Sequence, residues 1–170
     1  MTQQNKDLAD RFRDTTNKLV ALIETFDKEA FNRKPAEDKW SAAEVAEHLL
    51  LFDSRLNSIL ASATHSSNRD MSEKVPVFTA RISDRTNKIE APPFLIPSAD
   101  VRSPEDLIEK IRAERNKICK TIEEIDLTLH SKEFPHRFFG ELTAYEWVNL
   151  VDVHAKRHIE QLQELLTVKK

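Results

Sequence analysis

Glycine is almost absent from this sequence, which has one, Gly140, in 170 residues. The average in proteins is about 7%. Sharp turns between strands, phosphate-binding loops and dinucleotide-binding fingerprints all use glycine, so the composition argues against each of them. We therefore expect a mainly helical chain.

Cysteine is equally scarce, and Cys119 is the only one. It can form no disulfide within the chain and no cysteine-based zinc knuckle, so we interpret it as a free thiol on a helix flank. Charged residues at Lys6, Asp7 and Asp10 stand where a signal peptide needs an apolar core, and no run approaches the roughly 18 apolar residues of a membrane span. These features predict a soluble, cytoplasmic protein that does not contact a membrane.

The chain also lacks an excess of charge of one sign. It has 26 Lys and Arg against 29 Asp and Glu, a net charge of -3. A nucleic-acid-binding protein needs a basic field that attracts phosphates, so we expect no nucleic-acid partner. The length fits one domain, and we expect residues 1–170 to form it.

Apolar residues recur at the three- and four-residue spacing of amphipathic helices in four segments. Two of these begin at a capping box, Ser41 with Glu44 and Thr143 with Glu146. Four such helices bury their apolar faces against one another, so we predict an all-α fold, a four-helix bundle. The predicted helices run from about Lys6 to Ala30, from Ser41 to about Thr64, from Ser103 to about Asp126 and from Thr143 to about Leu166.

The connection between the second and third helices, residues 65–102, is rich in proline and longer than the roughly 15 residues of ordinary structureless loops. We expect a short helix within residues 78–89 and an extended apolar run over residues 91–97 that lies against the core. So long a connection allows a crossover in the bundle. The remaining histidines, His65, His130 and His136, fall in predicted loops and are expected at the surface.

Three of the six histidines occupy positions on the apolar face of a predicted helix, where Leu or Val is expected. They are His48, His154 and His158. Because four residues make about one helical turn, His154 and His158 lie on the same side of their helix. Two such imidazoles can bind one metal ion, and a third from a facing helix can complete a set of three ligands. Imidazole ligands favour zinc, nickel, iron or copper over magnesium and calcium. The alternative is three separate core histidines with their own hydrogen bonds, but three buried rings are harder to satisfy than one.

Other catalytic motifs are weak. The E-x-x-H string of Glu133 and His136 contains Pro135 and has no second copy, which disfavours a paired-carboxylate di-iron site. The sequence has no H-E-x-x-H and no G-x-S-x-G. We interpret Trp40 and Trp147, each near a helix start, as packing anchors.

Three stretches of the sequence carry distinctive patterns. Residues 40–49 read WSAAEVAEHL, residues 140–147 read GELTAYEW and residues 154–161 read HAKRHIEQ. They resemble, in this order, the W-s-x-x-E-x-x-x-H-L, G-x-l-t-x-x-E-W and H-x-x-R-H-x-x-Q elements of the DinB-like four-helix-bundle superfamily. The resemblance spans about residues 10–167. One departure is Arg137 after His136, where family members often have His-Pro.

The resemblance implies a bundle with a divalent ion, often zinc or nickel, bound by His48, His154 and His158. In the branch that this chain looks most like, members are metal-dependent hydrolases or transferases that join a low-molecular-weight thiol, such as bacillithiol, to an electrophile. Relatives are often dimers, so a homodimer is possible.

Our leading hypothesis is an enzyme whose ion activates a thiol or a water for transfer to an electrophilic small-molecule substrate. Glu44, Asp53 and Asp152 are candidate acids, but helical phase places none of them clearly in the pocket, so we assign no catalytic residue. The alternative is a non-catalytic metal- or small-molecule-binding module of the stress response. A fourth ligand from His136 or Glu44 would favour that module, because structural zinc sites are normally closed by four protein ligands.

Overall fold

The computed structural model describes residues 1–86 and 89–167. These residues form six α-helices, one 3₁₀ turn and a pair of two-residue strands. In chain order the elements are α1 (Gln3–Ile23), α2 (Lys28–Asn32), α3 (Ala42–Ala61), β1 (His65–Ser66), α4 (Val75–Ser83), the 3₁₀ turn (Pro93–Leu95), α5 (Pro104–Glu124), β2 (Leu129–His130) and α6 (Ala144–Thr167).

The four long helices are α1, α3, α5 and α6, and they form the bundle. Both α1 and α3 pack against α5 and against α6, which gives the order α1, α5, α3, α6 around the bundle axis. The all-α prediction is therefore confirmed. No helix within residues 1–86 and 89–167 is long and apolar enough to cross a membrane.

The bundle core is apolar but contains a buried ion pair. Arg115 Nε on α5 donates to Asp53 Oδ2 on α3 at 2.9 Å, and each side chain is 1% exposed. Arg115 Nη1 also donates to Thr16 Oγ1 on α1 at 3.2 Å. This network links three of the four long helices through polar atoms.

Both predicted capping boxes are present at the starts of α3 and α6. Ser41 Oγ accepts from the Glu44 backbone N–H, and Glu44 Oε2 accepts from the Ser41 backbone N–H at 2.8 Å. Thr143 and Glu146 exchange the same pair of bonds. Because each cap satisfies backbone donors that a helix leaves unpaired, the starts of α3 and α6 lie where the sequence predicts them.

The prediction of one helix from about Lys6 to Ala30 is wrong. The first helix ends at Ile23, and α2 begins a few residues later. Asp27 causes the new start, because its Oδ1 accepts from the Ala30 backbone N–H at 2.7 Å. The apolar spacing continues across this break, which is why periodicity alone missed it.

The connection between α3 and α5 holds α4, which packs against α6. It begins three residues before the range 78–89 in which a short helix is predicted, and it overlaps that range over residues 78–83. Residues 87 and 88 of that prediction lie outside the described residues. The run over residues 91–97 contains the 3₁₀ turn and is not extended throughout. Leu95 is buried as expected, whereas Phe94 is 61% and Ile96 54% exposed.

Two predicted loops pair with each other instead of remaining irregular. Strands β1 and β2 are antiparallel, with His65 opposite His130. The expectation of surface positions is right for His65, which is exposed, and wrong for His130, which the pairing buries. Two-residue strands are too short to show the alternation that predicts a strand.

Candidate metal centre

The structure brings together the three inward histidines of the sequence. His48 lies on α3, and His154 and His158 lie one turn apart on α6. His154 Nε2 is 3.1 Å from His48 Nε2 and 3.1 Å from His158 Nε2. One nitrogen from each ring lies within 4.8 Å of the other two. Residues 106 positions apart in the chain therefore meet at one point.

Two of the three rings are oriented by hydrogen bonds on their outer nitrogens. His48 Nδ1 donates to the Leu95 carbonyl oxygen at 2.7 Å. His158 Nδ1 donates to Gln161 Oε1 at 2.8 Å. A neutral imidazole that donates through Nδ1 has its lone pair on Nε2, so both lone pairs point into the cluster. Within the described residues, His154 Nδ1 is buried without a hydrogen-bond partner.

The surroundings keep the three rings neutral. Burial lowers the pKa of His48, although the bond to Leu95 opposes it. Burial and then His158 and His48 hold the pKa of His154 well below its ordinary value. Burial and then His48 lower the pKa of His158 to about 3. Neutral imidazoles are the form that binds metal ions.

Two of the nitrogen separations fit a shared cation. Two nitrogens bound to one ion at about 2.0–2.1 Å stand roughly 2.8–3.4 Å apart for bond angles between octahedral and tetrahedral values. The two separations of 3.1 Å fall in this range. Without a cation, His154 Nε2 can donate one proton to only one of its two neighbours. The three-histidine site could therefore hold a divalent metal ion.

The candidate acids have other partners. Glu44 caps α3, and its Oε1 lies 3.0 Å from Lys34 Nζ. The buried ion pair with Arg115 holds Asp53, and Asp152 Oδ2 lies 2.6 Å from Lys156 Nζ. In the part of the chain that the structure describes, no fourth His, Cys, Asp or Glu joins the histidine group.

His136 is not part of the cluster, but it is half-buried rather than at the surface. Its ring stacks on Phe139 with centroids 4.7 Å apart, and its Nδ1 accepts from the backbone N–H of Phe138 at 3.2 Å. Burial, followed by Arg137 and Arg81, lowers its pKa to about 4. His136 is therefore neutral and contributes to the wall of an adjoining cavity.

This cavity has a volume of about 1060 Å³, and all three clustered histidines line it. Aromatic rings surround them: the Trp40 ring centroid is 4.9 Å from that of His48, and the Phe52 centroid is 5.0 Å from that of His154. Trp147 also lines the cavity. Both tryptophans pack against the apolar core as predicted, and both also line the cavity.

Sequence reasoning missed five arginines that line the cavity. They come from four separate parts of the chain, and only Arg81 and Arg85 are close in sequence. One local signal existed, the departure from His-Pro at residue 137. The five are Arg55, Arg81, Arg85, Arg137 and Arg157.

Comparison with known proteins identifies the family. The family model described as the DinB superfamily matches residues 11–162. The chain belongs to the DinB superfamily. The stretches that first suggested the DinB superfamily, residues 40–49 and 154–161, also supply the three clustered histidines.

A curated relative covers nearly the whole chain. It is the uncharacterized protein YuaE of Bacillus subtilis (strain 168), which is 29% identical over 152 residues, or 89% of this chain and 90% of YuaE. No solved structure is significantly similar to the chain. Membership of the DinB superfamily and the histidine cluster together fit a metal-binding protein.

Proposed function

We propose that this protein is a metal-dependent enzyme that activates a low-molecular-weight thiol, or a water, for transfer to an electrophilic small-molecule substrate. The observation that carries the proposal is the convergence of three neutral imidazole nitrogens in the wall of a cavity of about 1060 Å³. A buried site next to a ligand-sized cavity is the arrangement of a small-molecule enzyme.

A divalent ion such as zinc or nickel, when bound, supplies a Lewis acid that lowers the pKa of a thiol or a water. The chain itself contributes the orientation of the ligands. Leu95 and Gln161 hold two of the rings with their lone pairs inward. Trp40 and Phe52 pack beside the rings and give the site apolar walls.

The number of protein ligands supports an enzyme over a non-catalytic module. A structural zinc site is normally closed by four protein ligands, whereas a catalytic site keeps a position open. Among the described residues the group contains three, and neither Glu44 nor His136 joins it. A thiol or a water can occupy the position that remains.

Metal content is the first test. Elemental analysis of tag-free protein should find about one equivalent of a divalent metal per chain. The triple variant His48→Ala, His154→Ala, His158→Ala should contain none. The control is His65→Ala, because His65 is exposed and lies outside the cluster. Metal retained in the triple variant would contradict the site.

Conjugation of a thiol to an electrophile is the second test. Cysteine and bacillithiol serve as thiols and monobromobimane as the electrophile, with metal-loaded protein. We expect turnover that each single-histidine variant loses and that His65→Ala keeps. Product formed only from water would favour the hydrolase, and equal rates in wild type and the histidine variants would overturn catalysis at this site.

A further inference from the structure

The charge around the cavity differs in sign from the charge of the whole chain. The described residues that line it include six Lys or Arg and four Asp or Glu, whereas the chain has a net charge of -3. Low-dielectric walls strengthen the field of such a cleft, so the cavity attracts anions. The basic residues are Lys39, Arg55, Arg81, Arg85, Arg137 and Arg157.

Three of the arginines are bound within the protein. Arg85 forms an ion pair with Glu164, with its Nη1 2.5 Å from Glu164 Oε1. Arg157 Nη1 donates to the carbonyl oxygens of Ile82 and Asp84 at 2.7 and 2.8 Å. These contacts fasten α4 and the residues after it to α6. Arg137 Nη2 likewise donates to the Glu90 carbonyl oxygen at 2.7 Å.

The other two, Arg55 and Arg81, stack on aromatic rings instead. Arg55 Cζ lies 4.2 Å from the Phe134 ring centroid, and Arg81 Cζ lies 4.3 Å from the Phe138 ring centroid. Neither guanidinium has a hydrogen bond or an ion pair with any residue that the structure describes. Stacking uses the flat face of a guanidinium and leaves the N–H groups at its edge free to donate.

We propose that Arg55 and Arg81 bind an oxyanion, a carboxylate or a phosphate, on the small molecule that enters this cavity. Guanidinium edges match the geometry of both groups, and stacking fixes the side chains before a ligand arrives. Phe94 and Phe138, 61% and 49% exposed, offer apolar contact to the rest of the molecule. The inference rests on the proposed function for treating the cavity as the substrate site, and it narrows the substrate to anionic molecules with an apolar part.

Tryptophan fluorescence gives a direct test, because the chain has two tryptophans and both line the cavity. Metal-free protein is titrated with 3-phenylpropionate, phenyl phosphate and the neutral 3-phenylpropanamide. We expect at least one anion to bind about tenfold more tightly than the amide. This ratio is the size of effect expected when a ligand gains hydrogen bonds to charged groups. The two anions distinguish a carboxylate site from a phosphate site.

The double variant Arg55→Met, Arg81→Met removes the charges and keeps long side chains. Its affinities for anion and amide should agree within about twofold, with the affinity for the amide unchanged, which also shows that the cavity is intact. Each single variant should lose part of the preference. The control is Arg112→Met, because Arg112 pairs with exposed Glu24 away from the cavity.

Three results would overturn the inference: equal affinity for anion and amide in the wild type, a full preference in the double variant, or no saturable response to any of the three probes. The proposed function is tested separately, by measuring the metal content of the wild type and of the triple histidine variant. That measurement does not involve Arg55 or Arg81.

Discussion

At the scale of single residues, Gln161 orients the His158 ring, because its Oε1 accepts from His158 Nδ1 at 2.8 Å. A partner of this kind fixes the tautomer and raises the basicity of a ligand, and its loss typically weakens metal binding about 10–100-fold. Gln161→Leu should therefore lower the affinity for zinc or nickel by that factor. Competition with a chromogenic chelator measures the affinity.

The matched control is Gln163→Leu, on the same helix and exposed. It makes the same chemical change two residues away, so the affinity for metal should stay at the wild-type value. If both variants bind metal equally well, the hydrogen bond from His158 has no part in metal binding.

The buried pair of Asp53 and Arg115 also acts at this scale. Removing one partner of such a pair leaves an uncompensated charge in the core and typically costs about 3–5 kcal/mol. Asp53→Ala should lower the free energy of unfolding by that amount, measured by urea denaturation. Glu29→Ala removes an exposed partner of Arg33 and should have little effect. Similar losses in both variants would show that burial of the pair does not matter.

Site residues could be predicted from the sequence where they lie on the inward, apolar face of a helix. His48, His154 and His158 replace apolar residues on inward faces, so periodicity identifies them. Arg55 and Arg81 are exposed residues of different helices, and only the packing of α4 on α6 and the loop before α6 bring them near the same cavity. The Leu95 contact uses a backbone oxygen, which residue types do not reveal.

At the scale of elements, Glu146 connects the start of α6 to the segment before α4. Its carboxylate accepts from the Arg69 guanidinium at 2.6 and 2.7 Å and from the Lys74 backbone N–H at 2.8 Å, besides closing the cap with Thr143. Burial opposes ionisation, but these hydrogen bonds outweigh it and lower the pKa of Glu146. The folded state therefore favours the ionised carboxylate.

The pKa of Glu146 is lower in the folded state than in the unfolded state, where it is about 4.3. The ionised carboxylate therefore stabilises the fold fully above the unfolded-state pKa. This stabilisation is lost as the pH falls through the folded-state pKa. Glu146→Gln should therefore destabilise the protein clearly at about pH 7 and much less in acid. Urea denaturation of both proteins at several pH values measures the difference. A difference that does not change with pH would show that the charge of Glu146 is not what stabilises α6.

Elements were predictable where a local signal marks their ends. Capping boxes at Ser41 and Thr143 mark the starts of α3 and α6, since the reciprocal bonds involve residues three apart. The break between α1 and α2 depends on the cap at Asp27, and the uninterrupted apolar spacing hides it. The β1 and β2 pairing joins distant residues, so nothing local predicts it.

At the scale of the whole molecule, the histidine cluster exists only when the bundle is assembled. His48 stands 106 residues from His154, and the two meet because α3 packs against α6. The connection between α3 and α5 adds the Leu95 carbonyl that orients His48. An unfolded chain keeps at most the neighbouring pair His154 and His158 and loses the third ligand.

Metal binding should therefore stabilise the whole fold, because an ion that binds the folded state more tightly shifts the unfolding equilibrium. At a free concentration of one hundred times the dissociation constant, the gain is about 2.7 kcal/mol, which raises the midpoint of thermal unfolding by about 5–10 °C for a chain of this size. Thermal unfolding followed by circular dichroism, with and without zinc or nickel, measures it. In His48→Ala only the pair on α6 remains. Two ligands bind an ion more weakly than three, so the shift in that variant should be much smaller. An equal shift in that variant would mean that the two histidines of α6 alone bind the ion and that His48 on α3 adds nothing to the affinity for metal.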